Sequence, residues 1–223
     1  MERVVHGAFG IATVIALATL PLFAQAPPRS HSGREVFWAP PSIDLPDEHP
    51  DSNVRREIVG SIQVGAKTIV LNKTPRAAAQ KLLGGTVGMQ GDAADWEAWL
   101  CYYGGDARGP WVLCLSSSEV DNENVDGFQW MSLSPGQHPD RRCKLISGDN
   151  AIKLPIDLRL GMSDSEVRRV LGKPTLAAGN LLEYSHEHHK IINKLDFTVT
   201  NDVNVVLEAG KVRTIQVWRS VMN

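Results

Sequence analysis

One stretch, Leu158–Thr175, carries the start, body and stop of a short amphipathic helix, and it limits the fold more than any other part of the chain. The Ser163 side chain can accept from the backbone N–H of Glu166, and Glu166 can reach back to the amide of Ser163, which is the reciprocal capping box. Val167, Val170 and Leu171 recur at helical spacing, while Glu166, Arg168 and Arg169 take the opposite face. Gly172 and Pro174 then end the helix, where left-handed geometry and a missing donor are tolerated. A second helix signal runs from Asn72 to Gly85. There Thr74 supplies the cap, Pro75 occupies the first helical position, Ala78, Leu82 and Leu83 form the buried stripe, and Gly84-Gly85 is the stop.

Each helix signal is followed by runs that read as antiparallel strands. After the first come Trp96–Tyr103, Pro110–Ser116 and Phe128–Leu133, separated by Gly, Asp and Asn turns. After the second come Leu181–Tyr184, Lys194–Thr200, Val203–Glu208 and Val212–Trp218, with Ala209-Gly210-Lys211 as a hairpin turn. This order predicts an α+β fold of two tandem repeats, residues 61–145 and 146–223. Each repeat is a short helix followed by a three- or four-stranded antiparallel sheet, with the helices packed on one sheet face. The other face would meet water, and a partner would sit there.

With 223 residues, of which 43% are hydrophobic, the chain has enough material for one large or two small domains. Lys and Arg number 23 against 25 Asp and Glu, a net charge of −2, which disfavours binding of nucleic acid through its phosphates. Residues 1–26 read as a secretory signal peptide: an apolar run from Ala8 to Phe23 ends in Ala24-Gln25-Ala26, a small-x-small cleavage pattern. The run is too short and interrupted for a membrane span, so no stable span is expected after cleavage. Residues 27–60, dense in proline and charge, read as a disordered leader. The expected location is therefore the periplasm or the outside of the cell.

Export would favour oxidation of two of the three cysteines, Cys101, Cys114 and Cys143. On alternating strands Cys101 and Cys114 share the face that carries Trp99, Tyr103, Val112 and Ser116, which makes a cross-strand bridge reasonable. The rival pairing uses Cys143 with either partner.

A Leu160-Gly-Met-Ser163 helix start, Glu166-Val167 on the helix, Leu171-Gly-Lys-Pro174 at its exit and a strand ladder around Gly210-Lys-Val212 together form a family-like pattern. It resembles the small exported domains of the outer-membrane assembly lipoprotein (SmpA/OmlA) type. The doubled arrangement, with a cysteine pair near a hairpin, is similar to the β-lactamase inhibitor protein fold of the same group. The resemblance is close over Leu158–Thr175 and Val203–Trp218 and architectural over Thr74–Leu133. It implies a non-enzymatic, envelope-associated module that binds another exported or envelope protein through sheet faces and loops, with no catalytic or cofactor-binding residues to carry over. The chain departs from the lipoproteins in having no cysteine at the cleavage point.

Two residue groups are candidate sites. Aromatic side chains on an open sheet make binding anchors, so Trp99 and Tyr103, with Trp130 and Trp218, are expected to grip the partner. The run Glu183-Tyr-Ser-His-Glu-His-His-Lys190 offers His186 and His188 on one strand face, where one Zn or Cu ion could bind. His189, Glu183 or Glu187, or a residue of a neighbouring strand, would supply a third ligand, giving the alternative of a periplasmic metal-binding protein. Ser116-Ser-Ser-Glu119 lacks the strained glycine elbow of a serine nucleophile and reads as a turn. Asp157, Asp164 and Asp196 are too scattered to form a carboxylate pair.

Overall fold

The computed structural model describes residues 36–43, 59–92, 95–118, 123–147 and 152–222. The expected signal peptide, 1–26, and most of the expected leader lie outside the described residues. Local rules hold best at the second helix, α2 (Asp164–Leu171). Ser163 donates its backbone N–H to Glu166 Oε2 at 2.7 Å, and Glu166 N donates to Ser163 Oγ at 3.4 Å, the reciprocal pair that the spacing predicts. Val167 is fully buried.

The first helix, α1 (Arg76–Leu83), starts differently from expectation. Pro75 is the N-cap, and the hydroxyl of Thr74 accepts from Val70 N at 3.0 Å, so it closes the preceding turn and leaves the helix end uncapped by a side chain. The buried stripe is correspondingly Ala79 and Leu83, while Leu82 is 49% exposed.

Ahead of α1 lie β1 (Val36–Phe37), β2 (Ser61–Val64) and β3 (Lys67–Val70). Between the helices run β4 (Val87–Asp92), β5 (Asp95–Asp106), β6 (Gly109–Ser118), β7 (Gly127–Ser132), β8 (His138–Pro139), β9 (Lys144–Leu145) and β10 (Ile152–Lys153). After α2 come β11 (Leu176–Ala178), β12 (Leu181–Ile192), β13 (Leu195–Glu208) and β14 (Lys211–Met222). The order in the main sheet is β11-β12-β13-β14-β7-β6-β5-β4, all antiparallel, with β9 parallel beside β5.

This order corrects the expected two tandem α+β repeats. Among the described residues strand makes up 57% and helix 10%, and the strands of both expected repeats run through a single main sheet of nine strands. The fusion is made at β7 and β14, where Phe128 faces Val217 and Trp130 faces Ile215. Two separate sheets would leave these buried side chains on exposed edges, and pairing removes both edges at once. Residues 34–223 accordingly form one compact unit. One face of the sheet, with Leu113, Trp130, Tyr184 and Ile215, is covered by Leu83 of α1, Val167 of α2 and Ile62 and Ile69 of the small sheet β10-β2-β3. A tyrosine from the sheet reaches the last turn of each helix: Tyr102 Oη donates to Gly84 O at 3.0 Å, and Tyr184 Oη to Gly172 O at 3.4 Å.

Candidate binding groove

The second face of β5, β6 and β7 is apolar, and its register sets Trp99, Cys101 and Tyr103 beside Ser116, Cys114 and Val112. An open apolar face of this size would have to be covered. The cover comes from two segments of the chain itself. Residues 36–43 lie over it, inside the stretch read as a disordered leader, with Val36 and Phe37 paired in parallel to His138 and Pro139. Trp38 meets Trp99 edge to face at a centroid separation of 6.1 Å, and Pro41 O accepts from Gln129 Nε2 at 3.0 Å. The second segment is the loop from Leu133 to Ile146, which brings Leu133 and Cys143 onto Met131, Val112 and Cys114.

That loop is tied down at several points. The disulfide joins Cys101 to Cys143, with Cα atoms 4.6 Å apart, and leaves Cys114 as the buried free thiol. The preferred Cys101–Cys114 bridge is thereby corrected. Those two cysteines do face each other across the β5–β6 ladder, but the loop returns over them and seats Cys143 on Cys101 instead. Asp140 N donates to Phe37 O, Cys143 N to Asp140 O, and Ile146 N to Tyr103 O. Arg142 Nε donates to Asp140 Oδ1 at 2.7 Å, and this hydrogen bond pulls the Asp140 pKa down to about 2. The same guanidinium lies 4.0 Å from the centre of the Trp38 ring, a cation–π contact.

Between this loop and the end of the β5–β6 hairpin lies a groove of about 570 Å³. Its walls are Tyr103, Pro110, Leu133, Pro135, Pro139 and Leu145, with His138 as a polar group at the rim. Leu145 is 52% exposed although it sits on a strand, because it forms the outer lip. The size and apolar walls are those of a ligand-holding pocket. A smaller cleft of about 170 Å³ by the β13–β14 turn is lined by two ion pairs, Arg108 with Asp106 and Arg213 with Glu208, and by Lys211. There Arg213 pairs with Glu208 through Nε at 3.2 Å and donates from Nη1 to Ser132 Oγ at 3.2 Å and from Nη2 to Gln137 Oε1 at 2.5 Å.

Of the four expected partner-binding residues, the groove contains Tyr103. Trp99 is 3% exposed beneath Trp38, and Trp130 is 1% exposed in the core on the opposite sheet face, so both are corrected as surface anchors. Trp218 is half-buried and stands across from Gly127, where an added Cβ would meet Cε3 of the ring at 2.7 Å. Among the histidines, His186 and His188 share a face of β12 with ring centroids 5.2 Å apart. His189 points to the other face and lies 3.4 Å from Asp196 Oδ1. Strand alternation puts Glu183 and Glu187 on that other face as well, so the expected third ligand from this run does not join the pair. The serines Ser116, Ser117 and Ser118 are buried inside β6, and Ser118 Oγ donates to Asp126 Oδ2. They make no turn.

Composition hid the groove. Phe37-Trp38-Ala39 is an apolar cluster inside a proline-rich, charged stretch, and it was the available signal that this part of the leader packs. No family profile, no curated protein and no solved structure matches the chain.

Proposed function

We propose that this chain is an exported, non-enzymatic binding module whose groove holds an extended apolar segment of another exported or envelope protein. The observation that carries this reading is the groove walled by Tyr103, Leu133 and Leu145 and fixed by the Cys101–Cys143 bridge. A tyrosine and three prolines lose little conformational freedom when a ligand docks, so a rigid apolar wall retains more of its contact energy as affinity. Aromatic- and proline-lined grooves suit extended, proline-containing peptides, whose backbone is already stretched. The bridge suits an oxidising compartment, and no helix among the described residues is long and apolar enough to cross a membrane. Near Trp99 the chain's own residues cover the second sheet face, which favours the groove over that face as the place for a partner.

A display library of extended Pro- and Leu-containing peptides, screened against the intact protein, tests the reading. Peptides should be selected whose affinity falls roughly tenfold or more in Tyr103→Ala and in Leu145→Asp, the range of a lost anchor residue. Both variants should keep the wild-type melting temperature within a few degrees. A library that returns no binder, or binders indifferent to both substitutions, defeats the proposal.

A further inference from the structure

We infer that His186 and His188 form a two-imidazole chelate for one divalent transition-metal ion of the copper and zinc class, with water completing the coordination. The pair lies on β12, at the other side of the main sheet from the β5–β6 hairpin that borders the groove.

Residues two apart on a strand project from the same face, and β12 is paired with β13 along its whole length, from Leu181 opposite Val206 to Ile192 opposite Leu195. This ladder fixes the two backbone positions, so a chelate here needs no ordering of a loop. His186 stands opposite Asn201, and His188 opposite Val199. Asn201 is itself held by two hydrogen bonds with Val59, donating from Nδ2 to its carbonyl at 3.0 Å and accepting its N–H at Oδ1 at 3.1 Å.

The ring spacing fits a shared ion. A metal bound at about 2.0–2.1 Å from an imidazole nitrogen lies about 3.2 Å from the ring centre, so two rings on a tetrahedral ion have centres about 5.2 Å apart. The observed separation is 5.2 Å, with the rings tilted by 31°. His188 adds a second, independent observation. Its Nδ1 is buried and has no hydrogen-bond partner among the described residues. A buried ring nitrogen gains free energy from a partner, and a transition-metal ion is one that an imidazole nitrogen takes.

The donor set selects the ion. Calcium and magnesium take oxygen ligands, whereas neutral imidazole suits copper, zinc and nickel, with copper(II) bound most tightly. No group of three His, Cys, Asp or Glu residues is assembled among the described residues, so the site is an open one of two protein ligands.

The test uses the full chain stripped with a chelator, titrated at neutral pH with copper(II) chloride and with zinc chloride. Calorimetry should show one ion per chain, and the electron paramagnetic resonance of the copper form should show coupling to nitrogen. His188→Phe keeps a ring in place but removes the ligand, and it should weaken binding roughly tenfold or more. His189→Ala, on the opposite face, should leave the affinity as in the wild type. Absence of uptake by the wild type, equal affinity in His188→Phe, or an equal loss in His189→Ala would each overturn the assignment.

Discussion

Cys114 shows how far burial decides what a side chain can do. It lies opposite Cys101 on the ladder, yet it is sealed beneath the Leu133–Ile146 loop, and burial, assisted by the nearby Glu97 carboxylate, pushes its thiol from 9.0 up to about 12. The thiolate is the reactive form, so the native thiol is inert toward the bridge beside it. The raised value also sets a pH dependence. Above about pH 9 the unfolded chain releases this proton while the folded chain keeps it until about pH 12. Stability should therefore be unaffected below pH 9 and fall between 9 and 12, by up to about 1.4 kcal/mol per pH unit from this group. Denaturant midpoints across that window should drop more steeply for the wild type than for Cys114→Ala. Parallel slopes would show that this thiol is not the cause.

Among the elements, the two helices offer a comparison of end chemistry. Ser163→Ala removes a hydroxyl that accepts from Glu166 N and donates to Glu166 Oε2, and should cost about 1 kcal/mol in urea denaturation, the usual value of an N-cap. An unchanged midpoint would mean that the cap does not hold α2. The reason α2 was legible in the sequence is that its signals are local: cap, stripe and stop all lie within a few residues of one another. In α1 the sequence pointed rightly to Leu83 but to Ala78 and Leu82 in place of Ala79, and to a Thr74 cap whose hydroxyl goes instead to Val70, a choice made by the turn before the helix. Likewise Asn201-Asp202 looked like a break between two strands, since both residue types favour turns. In the fold they sit within β13, because Val59, far away in sequence, supplies a backbone N–H and C=O that match the Asn201 side chain. The groove shares this origin. Tyr103 could be named in advance because alternation placed it off the helix-covered face, but Leu145, Pro135 and Pro139 reach it only through the path of a loop, which no periodicity encodes.

For the whole molecule, the loop bridge is the long-range constraint that acts most strongly on the unfolded chain. Cys101 and Cys143 are 42 residues apart, and closing a loop of that length restricts the unfolded ensemble by about 4 kcal/mol on the chain-entropy account. Cys143→Ser should lower the unfolding free energy by an amount of that order, and the transition should remain single, because β7 and β14 join everything into one sheet. Two separated transitions would contradict the fused sheet. The position of Phe37 and Trp38 also bears on the order of events during synthesis. Their seat is built from residues that follow them by as many as 106 positions, since Cys143 Sγ approaches Phe37 O only when the loop has closed. A chain that emerges from its amino end thus displays two large aromatic rings to the crowd long before their berth exists, and exposed apolar surface of that kind is what makes nascent chains stick to their neighbours.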